Sequence, residues 1–105
     1  MQTQINLTAA PNQTLSATIT DKNGDIHIAD FRLRTMPSGF LITDITIDDV
    51  VVVYGRRCID RVPLMLGGPI GGNFFFVDQF GTSDPEYTGF GDRYILVYDD
   101  EYELG

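Results

Sequence analysis

The 105-residue chain has one cysteine and one histidine, too few for the usual reactive clusters. Cys58 alone forms no intramolecular disulfide and no multi-cysteine zinc site. Cysteine catalysis needs a base beside the thiol. His27 is the only candidate, and nothing in the sequence brings it to Cys58, which reads as a small buried hydrophobe. His27 itself reads as a solvent-facing residue on the polar side of the turn at Lys22. Basic side chains are also scarce: seven Lys and Arg stand against fifteen Asp and Glu, a formal net charge of −8. Phosphate neutralisation supplies most nucleic-acid affinity, so a general DNA or RNA binder is not expected. No apolar run approaches the length of a membrane span, and Met1-Gln-Thr-Gln-Ile5 lacks the character of a signal peptide, which fits cytoplasmic synthesis and no membrane partner. No internal repeat, low-complexity tract or helical hydrophobic period is present.

What remains is β patterning. Ile5 and Leu7 alternate with polar neighbours, as do Leu15, Ala17 and Ile19. Asn23-Gly24 between alternating runs predicts a hairpin. In the next run the inward set passes from Ile26 and Ile28 to Phe31 and Leu33, a slip of one that predicts a β-bulge at Ala29-Asp30. Met36-Pro-Ser-Gly39 predicts a turn, then a strand over Phe40 to Ile47, and Asp48-Asp49 a turn into Val50-Val-Val-Val-Tyr54. That run is continuously apolar, so it should be covered on both faces, by the core and by a second sheet or another subunit. Gly55 should end it. Pro63 makes Val62 to Leu66 an edge strand or an irregular crossing. Gly67 to Gly72 is a loop with no lysine and no following helix, so it is not a phosphate cradle. The expected fold is all-β: residues 1–105 as one small barrel or sandwich of about seven or eight mostly antiparallel strands, with an acidic tail over 99–105.

The most informative stretch runs from Asn73 to Asp99. Two apolar runs, Asn73-Phe-Phe-Phe-Val-Asp78 and Arg93-Tyr-Ile-Leu-Val-Tyr98, flank fourteen residues with three glycines and one proline. Loops this long in compact domains are often functional. Ser83 or Asp84 could cap a helical turn, with Pro85 at its first position, predicting one turn over Pro85 to Tyr87. Arg61, Asp78 and Arg93 each lie where an apolar run meets a loop, and a guanidinium can hold a carboxylate through two parallel bonds. Asp78 is therefore expected to pair with Arg61 or Arg93 and pin the base of the loop. Asp78, Asp84, Glu86 and Asp92 could alternatively serve a carboxylate-based hydrolase; their spacing matches no calcium loop. No metal, cofactor or catalytic set is assigned.

Four elements together resemble the small baseplate plug proteins of contractile-tailed bacteriophages, of the type described for a cyanophage. They are Ile5-Asn-Leu-Thr-Ala-Ala-Pro-Asn-Gln-Thr-Leu15; Gly55 with Cys58-Ile-Asp-Arg61; Phe76-Val-Asp78 followed by Gly81-Thr-Ser-Asp-Pro-Glu-Tyr-Thr-Gly89; and Arg93 to Tyr98. The resemblance implies a non-enzymatic structural component of the virion, a plug or hub protein near the tail tube and spike, made in the host cytoplasm. It also implies other baseplate proteins as partners and several copies in a symmetric assembly. The expected interface comprises Phe80, Asp84, Glu86, Tyr87 and Phe90 of the loop and Asp99, Asp100, Glu101 and Tyr102 of the tail. The alternatives are the hydrolase above and an OB-like binding module.

Overall fold

The computed structural model describes residues 2–67 and 70–103. Parts of two expected features, residues 68–69 of the glycine-rich loop and 104–105 of the tail, lie outside the described residues. Seven strands form two antiparallel sheets: β1 (Gln2–Ile5), β2 (Asn12–Thr20), β3 (Ile26–Thr35), β4 (Leu41–Ile47), β5 (Val50–Arg57), β6 (Asn73–Asp78) and β7 (Tyr94–Asp99). The orders are β1-β7-β6 and β2-β3-β4-β5. This is an open sandwich and not a closed barrel. The inner faces share one core. Phe31 of β3 meets Phe74 of β6 edge to face at 5.0 Å, and Phe74 packs on Tyr98 of β7 at 5.0 Å, so aromatic contacts tie sheet to sheet.

The turns follow their chemistry. Gly24, at φ 87°, closes the β2–β3 hairpin, with its amide donating to the Asp21 carbonyl at 3.0 Å. Asp48 and Asp49 both adopt positive φ, 48° and 68°, giving the two-residue β4–β5 turn that matches strand twist.

The β3 strand corrects the sequence reading. Its pairing with β2 runs without interruption from Thr20↔Ile26 to Asn12↔Arg34, and its pairing with β4 is equally regular. There is no bulge at Ala29-Asp30. Ala29, Phe31 and Leu33 are the buried set, while Ile26 and Ile28 face outward and are exposed. The alternation was constant; two isoleucines simply stand on the solvent side. His27, in phase with the buried set, is therefore half-buried and not solvent-facing.

The irregularity lies between β4 and β5. Thr46 pairs with Val51 but Ile45 with Val53, and Thr43 with Arg56, so β5 carries the extra residues. Gly55, at φ 65°, does not end the strand; β5 passes through it to Arg57. The Asp44 carboxylate steadies this point, accepting from the Gly55 amide at 2.6 Å and from Arg34 at 3.0 Å. The valine run is not covered on both faces within the chain: Val53 is buried, but Val50, Val51 and Tyr54 are exposed. Among the described residues no second sheet lies over the outer face of β2-β3-β4-β5.

After β5 the chain crosses irregularly along the free edge of β6. Arg61 donates its amide to the Phe76 carbonyl at 2.7 Å, and Leu64 to that of Phe74 at 2.9 Å. Buried Asn73 completes the cover: its Oδ1 accepts from the Met65 amide and its Nδ2 donates to the Met65 carbonyl, both at 2.8 Å. An otherwise open sheet edge is thus paired by loop backbone.

Candidate functional site

The 79–92 loop hangs from the carboxylate of Asp78, the last residue of β6. Its Oδ1 accepts from Arg93 Nε at 3.0 Å and from the Phe80 amide at 3.0 Å; its Oδ2 accepts from Arg93 Nη2 at 2.9 Å and from the Ser83 amide at 2.8 Å. The side chain is wholly buried. The Arg93 bonds lead in holding the Asp78 carboxyl well below the usual carboxylate range, against the desolvation that would raise it, with the two amides assisting. Four donors around one carboxylate leave it charged and occupied.

Arg61 does not reach that carboxylate. It contacts Asp60 Oδ2 at 2.5 Å, and donates to the Asp78 carbonyl at 3.1 Å and the Gly81 carbonyl at 3.2 Å. Asp60 in turn accepts from the Asp78 amide at 2.7 Å. The base of the loop is therefore held from both sides, by Arg93 through a side chain and by Asp60-Arg61 through the backbone. Gln79 closes it, its amide donating to the Arg93 carbonyl at 2.7 Å.

Within the loop the helical turn is 3-10 and spans Tyr87–Gly89, two residues beyond the expected position; neither Ser83 nor Asp84 caps it. Their groups are engaged elsewhere. Ser83 Oγ accepts from Arg93 Nη2 at 3.1 Å, and Asp84 accepts from the Asp60 amide at 3.2 Å and lies 3.6 Å from Arg57.

The loop aromatics divide. Phe90 is 6% exposed and stacks on Phe76 with ring centres 6.0 Å apart, so it belongs to the core and not to an interface. Tyr87 is half-buried against that core. Phe80 is 72% exposed. In the tail, Asp99 is the last residue of β7 and accepts from the Glu101 amide at 3.0 Å, while the Tyr102 ring lies 5.7 Å from Phe75. Asp100 is half-buried; Glu101 is exposed, as is Glu86 in the loop.

Beside the loop is an open cleft of about 580 Å³ lined by residues that include Phe40, Arg57, Asp84, Glu86, Arg93 and Tyr94. It gathers two of the four acids singled out from the sequence, next to apolar rings. Arg57 and Arg93 line the same cleft. Cys58 is buried, and burial pushes its thiol far up, so it offers no thiolate.

His27 was misjudged from the sequence. Its Nδ1 lies 2.6 Å from Asp48 Oδ2 and its Nε2 2.9 Å from Asp21 Oδ2. Asp48 also accepts from the Ile28 amide at 2.9 Å. The bonds to Asp48 and Asp21 raise the imidazole against desolvation, and both carboxyls are lowered in return. This clasp ties the β2–β3 hairpin to the β4–β5 turn. The regular two-residue period from His27 to Leu33 was the signal that could have found it.

Comparison with known proteins places these features in context. The family model described as cyanophage baseplate Pam3 plug gp18 matches residues 2–101. Among curated proteins no match is found.

Proposed function

The chain belongs to the cyanophage baseplate plug family, and from that premise we propose that it acts without catalysis as a plug or hub protein near the tail tube and spike, in several copies, inside the virion. A structural baseplate role follows from the family; the position within the baseplate, the neighbours and the copy number are the proposal. One observation carries it: the chain's most elaborate local construction, the four-donor lock on Asp78, serves to hold a loop that offers Phe80 to solvent. A buried ionic lock of this kind costs desolvation, and a rigid presented aromatic loses little entropy when it docks. In this reading Phe80 and the exposed edge of Tyr87 anchor a neighbouring baseplate protein. Asp84, Glu86, Asp99, Asp100 and Glu101 face its basic groups, and rim charges of this kind steer docking.

The experiment is a density map of intact tails, paired with infection by phage carrying Phe80→Ala. Density for the loop against a neighbouring chain and reduced incorporation of the variant are expected. A loop facing open solvent in the assembled tail, with normal incorporation of Phe80→Ala, would remove the interface assignment.

The cleft holding Asp84 and Glu86 keeps a hydrolase as the second reading. Turnover of ester or glycosidic substrates that is abolished in both Asp84→Asn and Glu86→Gln would establish it and displace the purely structural role.

A further inference from the structure

The outer face of the four-stranded sheet ends at β5, whose far edge pairs with no other strand among the described residues. Natural edges are usually blunted by lysine, proline or inward charge. Val50 to Tyr54 has none of these; it does carry a bulge, another device found at edges, which here decides which side chains the edge presents. Instead Val51 is 64% and Tyr54 82% exposed. In a regular strand, residues three apart point to opposite faces. Here the extra residue in β5 between Thr46↔Val51 and Ile45↔Val53 resets the phase, and Val51 and Tyr54 line the same outer groove, a space of about 640 Å³ with Asp44 and Thr46 at its floor. The bulge has therefore set two large apolar groups side by side along an open edge.

The other edge of that sheet, β2, differs. Its larger side chains turn inward, Leu15 half-buried and Ile19 buried, and its outward positions are Thr14, Ser16, Thr18 and Thr20. Both edges include an uncharged stretch, all of β2 and residues 50–55 of β5; exposed apolar bulk is particular to β5.

Charge then selects the occupant. The uncharged stretch of β5 is bounded by Asp48-Asp49 before it and Arg56-Arg57 after it. Antiparallel pairing of β5 with its own copy, centred between Val52 and Val53, sets Val51 against the partner's Tyr54. The same register brings Asp49 to the partner's Arg56 at both ends. A two-fold contact needs a patch complementary to itself, and an acid–apolar–base sequence read against its own reverse is such a patch. Like charges would meet in the parallel arrangement. We infer that the β5 edge is a self-association site, joining two copies through an antiparallel β5–β5 contact into one eight-stranded sheet. This inference does not rest on where the chain sits in the tail.

The test is the oligomeric state of the purified full chain, by light scattering and sedimentation over a concentration series. Wild type is expected to form a concentration-dependent dimer. Val51→Lys, an exposed site, should abolish it with the thermal melt unchanged, and Val51→Thr should retain it. The decisive arm uses charge. Asp49→Lys and Arg56→Glu alone each set like charges together and should weaken the homodimer about tenfold or more. Mixing the two variants restores opposite charges at both ends and should give a heterodimer as tight as wild type; circular dichroism checks that each variant is folded. A wild-type chain that stays monomeric up to about 1 mM, where even weak pairing is populated, would overturn the inference. So would larger oligomers indifferent to the charge variants, which would assign β5 to another surface such as β2.

Discussion

Phe90 offers the sharpest test of how the loop is built. Sequence reading made it an anchor for a neighbour; the structure puts it in the core. The two assignments predict opposite behaviour in the isolated chain. Phe90 is 6% exposed, and its ring stacks on Phe76 at an interplanar angle of 20°. Truncating a buried phenylalanine to alanine costs about 3–5 kcal/mol, through lost burial and the cavity left behind. Phe90 belongs to a loop that can partly settle into the gap, so the low end applies, about 3 kcal/mol. A domain of this size has a total stability of about 5–15 kcal/mol and loses roughly 4 °C or more of melting temperature per kcal/mol. Phe90→Ala should therefore lower the melt by about 12 °C or more. Phe80, 72% exposed, is the control: Phe80→Ala should stay within about 0.5 kcal/mol of wild type. Urea titration of the purified monomer gives both values. A Phe90→Ala loss below about 1 kcal/mol would refute the core assignment and return Phe90 to the candidate interface. A comparable loss for Phe80→Ala would mean that the loop tip packs internally.

Three further outcomes follow from the same geometry. Because Arg93, Phe80 and Ser83 depress the Asp78 carboxyl, its contribution is present above the unfolded value of about 3.9 and is lost as pH falls toward the folded one. The urea midpoint of wild type should drop below about pH 4, and that of Asp78→Asn should show a smaller drop. His27 has the opposite sign: its folded value is raised by Asp48 and Asp21, so its stabilisation is complete below about pH 6.5 and fades as pH rises through the folded value. Ring resonances followed by NMR should titrate above that reference, and His27→Gln should flatten stability across the same window. Gly72 and Gly91 share a positive φ, 80° and 81°, but a Cβ on Gly72 would lie 2.9 Å from the Asp100 Cα and clash with the Asp99 carbonyl, whereas one on Gly91 meets nothing nearer than 3.6 Å. Gly91→Ala should cost about 1 kcal/mol, and Gly72→Ala clearly more by thermal melt.

Much of the fold was legible because it rests on local rules. The Asn23-Gly24 hairpin, the Asp48-Asp49 turn, the buried β6 and β7 and the irregular crossing at Pro63 each follow from one or two residues whose chemistry permits little else. The lock on Asp78 was legible only as a type of contact. Sequence named two arginines that could reach it, but choosing between them needed the antiparallel register that sets Asp78 opposite Tyr94, next to Arg93. The helical turn was misplaced by two residues because the groups expected to cap it are engaged by longer-range partners, Ser83 Oγ by Arg93 and the Asp84 carboxylate by the Asp60 amide. Capping preference is worth about 1 kcal/mol, and charge-assisted bonds, roughly twice as strong as neutral ones, compete with it.

The errors on β3 and β5 have a common source, the assumption that large aliphatic residues point inward. On β3 it turned Ile26 and Ile28 into core, which required a bulge at Ala29-Asp30 and cast His27 onto the solvent side. On β5 it turned a run of valines into a strand covered on both faces. In each case the sheet keeps a strict inner set, Ala29, Phe31 and Leu33 on β3 and Val53 on β5, and the surplus apolar residues stand outside. Hydrophobic residues on a surface are ordinary when scattered. Here Val51 and Tyr54 are gathered by a bulge onto one groove beside an edge with no strand partner among the described residues, and the residues before and after them carry opposite charge. A pattern that fails as a description of the monomer's core is what a surface buried only by a second chain would require. The double cover expected for β5 is absent among the described residues, and edge pairing with a second copy would shield Val51 and Tyr54 from the side by setting each beside the other's counterpart.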